Sequence, residues 1–194
     1  TPPEAPLEDY LRLMEHLGLE YGIVVQPNLH GYDNRATLEV LVQGRGRFFG
    51  VVNLAEPPPN GELRTMHDLG VRGVRFAFNP AHGGVLDLAR FDRIVGAVAD
   101  LGWFVELHPG PQHLALLAEW IRRLPVRVVI DHFGRVDAAA GPGQIPFLVL
   151  RQLLAETHVW VKLTGADRIS RAGAPYADVV PLGKALLEVA PDRL

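Results

Sequence analysis

The chain has 194 residues, 48% of them hydrophobic, which is enough to bury a sizeable core without disulfides or a structural metal. A formal charge of −3, with Lys and Arg scattered along the chain, lacks the electrostatic footprint of a nucleic-acid binder. The absence of cysteine excludes disulfides, thiolate metal sites and a cysteine nucleophile.

In chain order, Leu7, Tyr10, Leu11, Met14 and Leu17 form one helical stripe closed by Gly18. Six short β-branched or aromatic runs follow and read as buried strands: 21–26 (YGIVVQ), 47–52 (RFFGVV), 73–78 (GVRFAF), 103–108 (WFVELH), 127–131 (RVVID) and 159–163 (VWVKL). Between them lie segments with helical spacing, such as Leu88, Phe91, Ile94, Val95 and Val98, or Leu114, Leu117, Ala118 and Ile121. The strand starts fall about 24 to 32 residues apart, the length of a β-loop-α-loop unit, which calls for parallel pairing. Residues 176–189 read as a last helix, and 57–61 and 138–146 as turn-rich loops. The expectation is one domain over 1–194 with six strands and seven helices.

This pattern suits either an open doubly wound sheet or most of a (β/α)₈ TIM barrel. The first strand leads into VQPNLHGYDN, which has neither GxGxxG nor Walker spacing, so a nucleotide-binding doubly wound sheet loses ground to the barrel. Polar residues close nearly every strand: Gln26 and Asn28, Asn53, Arg75 and Asn79, His108, Asp131 and His132, then Lys162, Thr164 and Arg168. In parallel α/β proteins the active site lies at the carboxyl ends of the strands. His108 and His132 stand at equivalent places on successive strands, where a ligand or proton carrier is useful. His16, His67, His82, His113 and His158 are expected to face solvent.

Arg75 lies inside a strand and needs an anionic partner, either substrate or a buried carboxylate. Lys162 needs a buried partner too, and Glu106 shares the parity of His108, so a Glu106–Lys162 pair inside the barrel is expected. Asp131, of opposite parity to His132, is expected to point toward the helices as a structural acceptor if His132 faces the mouth. Arg168, just beyond a strand end, could close over a carboxylate.

With those residues in place, the segments VQPNLHGYDNR, LGVRGVRF, LGWFVELH, VVIDHFGR, VWVKLTGADRISRAGAPYADV and APDRL resemble the 2-pyrone-4,6-dicarboxylate lactonase-like branch of the amidohydrolase superfamily. The resemblance covers nearly the whole chain. It implies a TIM barrel that opens lactones of dicarboxylates or sugar acids, with Arg75 and Arg168 holding substrate carboxylate, Asn28 lining the mouth, and His132 polarising or protonating at the carbonyl. It also places His108 where metal-binding members have a ligand, so the cofactor is either none or one divalent metal such as zinc.

Two departures accompany the resemblance. The family's opening His-x-His strand and its closing strand, followed by an aspartate general base, are absent, which makes this chain a barrel without its first and eighth strands. A second arginine about six residues beyond Arg75 is absent as well, with Ala81 near that place, so a sugar lactone fits as well as a pyrone dicarboxylate. Two other readings stay open: a metal-dependent amidohydrolase or decarboxylase, and a catalytically inactive binding module.

No apolar run approaches the roughly 20 residues of a membrane span, and the opening Thr1-Pro2-Pro3-Glu4 has no signal-peptide character, so the cytoplasm is the default expectation. Opening on threonine, the chain is expected to have its native start upstream. The expected partner is a small-molecule carboxylate lactone, with neither nucleic acid nor membrane involved.

Overall fold

The computed structural model describes residues 6–44, 46–78 and 86–194. Asn79, Ala81 and His82 therefore lie outside the described residues. The strands are β1 (Gly22–Val25), β2 (Phe48–Val52), β3 (Val71–Ala77), β4 (Phe104–His108), β5 (Val128–Ile130) and β6 (Val159–Val161). The helices are α1 (Leu7–Leu17), α2 (Arg35–Gln43), α3 (Asn60–Asp68), α4 (Leu88–Ala99), α5 (Pro111–Arg123), α6 (Ile145–Ala155), α7 (Ala166–Ile169) and α8 (Val180–Leu187).

All six strands are parallel and pair in strict sequence order, β1-β2-β3-β4-β5-β6. An open doubly wound sheet reverses its order at a switch point, whereas a barrel never does. The order therefore decides for an arc of a (β/α) barrel. Each expected strand is present, trimmed by up to two residues, except that β3 begins two residues earlier, at Val71.

The helices need three corrections. The described residues contain eight α-helices rather than seven, the extra one being the single turn α7. The 57–61 loop is shorter than expected because Asn60 and Gly61 open α3 after Pro59. The last helix is split into a 3-10 turn, Ala177–Val179, and α8.

Alternation within the strands separates two faces. On the outer face, Val74 and Phe76 of β3, Val105 and Leu107 of β4, Val128 and Ile130 of β5, and Val159 and Val161 of β6 are buried. They join Phe91, Ile94 and Val98 of α4, Leu114, Leu117 and Ile121 of α5, and Phe147, Leu150 and Leu153 of α6 in one core. The Phe76 and Phe91 rings stack with centroids 4.1 Å apart, and each such side chain contributes about 1.5–3 kcal/mol on burial. The inner face carries Arg75, Glu106, His108 and Lys162.

At the β1 edge the pattern weakens, with Tyr21 and Ile23 exposed. In α1 only Met14 is buried, while Tyr10 and Leu17 of the expected stripe are exposed. Among the described residues no helix is long and apolar enough to cross a membrane.

Candidate active site

Strand register brings the inner charges together. Arg75 of β3 pairs across the ladder with Glu106 of β4, and Ala77 with His108. Arg75 Nη2 donates to Asp131 Oδ2 at 2.9 Å, and its Nε lies 3.4 Å from Glu106 Oε1. Lys162 Nζ donates to Glu106, as the shared parity led us to expect, and lies 3.0 Å from Asp131 Oδ1. Two cations and two buried carboxylates thus form one closed set across β3, β4, β5 and β6.

Asp131 is the correction here. It faces the cavity instead of the helices, because it keeps the inward parity of Val129 while His132 leaves the strand conformation. The backbone at His132, Phe133, Gly134 and Arg135 is left-handed throughout, with φ of 52°, 53°, 62° and 55°. Parity counting ends at Asp131, and the left-handed turn brings His132 to the same cavity as its neighbour.

Each non-glycine residue in that conformation costs roughly 1–2 kcal/mol, and such strain persists only where surrounding packing over-determines it. The restraints are specific. Phe133 is buried in the core and its N–H donates to Lys162 O at 3.1 Å, while Gly134 N–H donates to Asp131 O at 2.9 Å. Gly134 also packs on α5 so closely that an added Cβ would lie 2.8 Å from Leu114.

The His132 ring is fixed from the other side. Its Nδ1 lies 2.8 Å from Thr164 Oγ1, and Gly165 comes so close that a Cβ there would lie 3.0 Å from Nδ1. Its ring meets that of His108 edge-on, with centroids 5.4 Å apart. His108 is held between two guanidinium groups: Arg75 against Nδ1, and Arg135 Nη1 3.2 Å from Nε2.

Burial and surrounding charge set the protonation states. Burial, reinforced by Arg75 and only partly opposed by Asp131, pushes His108 down to about 4. Burial also lowers His132, opposed by the charge of Asp131 and assisted by those of Arg168, Arg75 and Lys162. Burial and the Asp131 charge push Glu106 up to about 7 against Lys162 and Arg75. Burial would raise Asp131, but Lys162 and Arg75 overcome it and hold the carboxyl below its ordinary value. Lys162 is raised in turn, its burial outweighed by the charges of Glu106 and Asp131.

These residues line a cavity of about 420 Å³ with Val25, Pro27, Asn28, Leu29, Arg135 and Arg168. Asn28, Arg75, His108, His132 and Arg168, singled out in the sequence, therefore share one cavity. Arg135 also lines it and was not singled out. Its only sequence signal is its place in the quoted run IDHFGR, three residues past His132. Of the other histidines, His16 is exposed. Contrary to expectation, His67, His113 and His158 are half-buried with structural hydrogen bonds: His67 accepts from Trp103 Nε1, His113 accepts from Gly110 N–H, and His158 donates to Ile121 O. Each is near a helix end, where unpaired backbone or a neighbouring indole needs a partner.

A parallel barrel arc with a polar cavity at its carboxyl rim defines a barrel-enzyme type of site. The chain belongs to the amidohydrolase family, which it matches over residues 1–194. It is similar to a 4-sulfomuconolactone hydrolase of Rhizobium radiobacter, 50% identical over all of this chain and 65% of that protein. It is also similar to a 2-pyrone-4,6-dicarboxylate hydrolase of Comamonas testosteroni, 33% identical over all of this chain and 67% of that protein. A solved structure from Pseudomonas putida, assigned as a 2-pyrone-4,6-dicarboxylic acid hydrolase, superposes with a TM-score of 0.85 at 34% identity, covering 98% of this chain and 69% of that one. The chain thus spans about two thirds of the length of the curated relatives it matches.

A more distant structure from Burkholderia multivorans, 24% identical with a TM-score of 0.76 over 96% of this chain and 70% of that one, shares the fold and was solved with bound zinc. Among the described residues of this chain, no group of three or more His, Asp or Glu is placed to hold a metal ion. Both ring nitrogens of His108 face guanidinium groups. The described donor set does not by itself fit a metal.

Proposed function

We infer that the protein is a hydrolase that opens the lactone of a small carboxylic acid by attack of water on the ring carbonyl. The observation that carries this reading is the cavity itself, in which a neutral imidazole stands among fixed cations at the rim of a barrel. Relatives named for lactone hydrolysis support it.

Arg168 and Arg75 attract the substrate carboxylate, Arg168 from the rim and Arg75 from the charged floor. The buried Asn28 Oδ1, which has no hydrogen-bond partner among the described residues, offers an acceptor to a substrate hydroxyl or to water. If the Thr164 hydroxyl donates to His132 Nδ1, the ring proton resides on Nε2, available to the carbonyl oxygen as negative charge develops there. The oxygen of water bonds to the carbonyl carbon as a base takes one of its protons, the ring C–O bond breaks, and that proton passes to the departing ring oxygen. Asp131 and Glu106 are both held by cations, so neither is assigned as that base, and the family resemblance implies an aspartate in that role.

The test is steady-state hydrolysis by the full-length protein across aldonolactones, 2-pyrone-4,6-dicarboxylate and 4-sulfomuconolactone. His132→Asn, which tolerates the left-handed backbone, should lower kcat by about 10²–10³-fold with little change in KM. An unchanged kcat in that variant would remove His132 from the chemistry.

A further inference from the structure

We propose that Leu29 is a substrate-binding residue, an apolar platform that a buried clamp of Gln26, Asn34, Thr37 and Asn53 holds out over the cavity for the substrate ring to cover. The proposal rests on the lactonase reading and supplies a contact that the charged groups of the site do not provide.

The cavity has two unlike walls. The ends of β3 to β6 and the loops after them contribute only charged groups and imidazoles, whereas the three apolar side chains, Val25, Pro27 and Leu29, all come from the end of β1 and the turn that follows. A lactone ring presents C–H faces as well as polar atoms, and an apolar surface is what displaces water from such faces. Leu29 is 89% exposed, so nearly all of its surface is available to a ligand. A single exposed leucine is ordinary. This one differs because the backbone that carries it is fixed from beneath.

Gln26 and Asn53 close β1 and β2, yet neither lines the cavity. Gln26 is fully buried; its Nε2 donates to Asp33 O at 2.7 Å and its Oε1 accepts from the Thr37 hydroxyl at 2.5 Å. Asn53 Nδ2 donates to Gly31 O at 3.1 Å, and the Asn53 backbone N–H donates to Asn34 Oδ1 at 3.0 Å. Asn34 Nδ2 donates to Tyr32 O at 3.2 Å and to Asn53 O at 2.8 Å. Three consecutive carbonyls, of residues 31, 32 and 33, are thus each held by a buried amide. The 3-10 turn Asn28–His30 joins the same frame, because Gly31 N–H donates to Asn28 O at 3.0 Å and Asp33 N–H to His30 O at 3.1 Å. Folding the turn inward to shelter Leu29 would strip partners from these buried groups, which is costly. Leu29 therefore stays in water in the free protein, and substrate meets a surface that needs no ordering. Gln26 is the positioning residue for that surface.

The test is steady-state hydrolysis of 4-sulfomuconolactone and 2-pyrone-4,6-dicarboxylate by the full-length protein. Leu29→Ala should raise KM by about 5- to 20-fold and leave kcat nearly unchanged, because the contact is made equally before and during the reaction. Its urea midpoint should match the wild type, and Leu29→Met should recover most of the affinity. Gln26→Met, and the milder Thr37→Val, should raise KM as well. Adding Leu29→Ala to either should raise KM by less than about two-fold more, since the clamp acts through the same turn. An unchanged KM in Leu29→Ala, or losses that multiply in both double variants as for independent sites, would overturn the proposal.

Calorimetric binding of isophthalate, an unreactive planar ring acid, separates this proposal from the lactonase reading. If no lactone is opened but Leu29→Ala weakens isophthalate by a similar factor, the lactonase reading fails and the Leu29 contact stands. If isophthalate binds the wild type and Leu29→Ala equally well, the contact fails whatever the lactone activity. A wild type that neither opens a lactone nor binds isophthalate would overturn both.

Discussion

The two faces of β3 to β6 come from alternate residues of the same strands, yet they are held by opposite means. The outer face is a continuous apolar core in which Phe76, Leu107, Ile130 and Val161 meet α4, α5 and α6. It is stabilised by area removed from water, which is non-directional and tolerant of small shifts. The inner face sets Arg75, Glu106, Asp131 and Lys162 in a closed set of pairs, where desolvation offsets much of the attraction and geometry decides the outcome. A barrel strand can therefore put its stability on one side and its chemistry on the other.

The largest effect expected from breaking this contrast is at Glu106, whose side chain is 1% exposed and touches both cations. Glu106→Met should destabilise by about 3–5 kcal/mol in urea unfolding, because it strands buried positive charge. Glu106→Met combined with Lys162→Met should recover much of that loss. Additive losses in the double variant would mean that the pair is not coupled.

The pH dependence of stability sharpens the contrast further. His108 titrates at about 4 in the folded protein, below its ordinary 6.5. The unfolded chain therefore binds more protons between those values, so the stability tied to neutral His108 is complete above about pH 6.5 and is lost as pH falls toward 4. Urea midpoints measured across that window should fall more steeply in the wild type than in His108→Gln. The smallest effect belongs to Arg93 and Glu56, exposed partners whose nitrogen and oxygen are 2.9 Å apart. Arg93→Met should change stability by less than about 1 kcal/mol, and high salt should erase even that.

Much of the fold was legible because its signal is local. Each apolar run of the sequence became a strand, since five or six residues rich in β-branched and aromatic side chains have few other ways to be buried. The choice between a barrel and an open sheet depended on which strand lies beside which, and no local pattern records that. The Glu106–Lys162 pair was legible because both residues lie on regular inward positions. The orientation of Asp131 was not, since regular strand alternation stops at His132, where the chain turns left-handed. Arg135 escaped notice for the same reason: past the end of a strand, spacing no longer says which way a side chain faces. Only Gly134 hints at the turn, and its three companions are residues that rarely adopt it.

That turn also ties the rim to a helix that does not line the cavity. Leu114 of α5 packs against the backbone of Gly134, one residue from Arg135 and two from His132, so the side-chain volume there sets how far the rim projects over the floor. A change of side-chain size at 114 would therefore act on two cavity residues through the backbone that carries them, without itself touching the cavity.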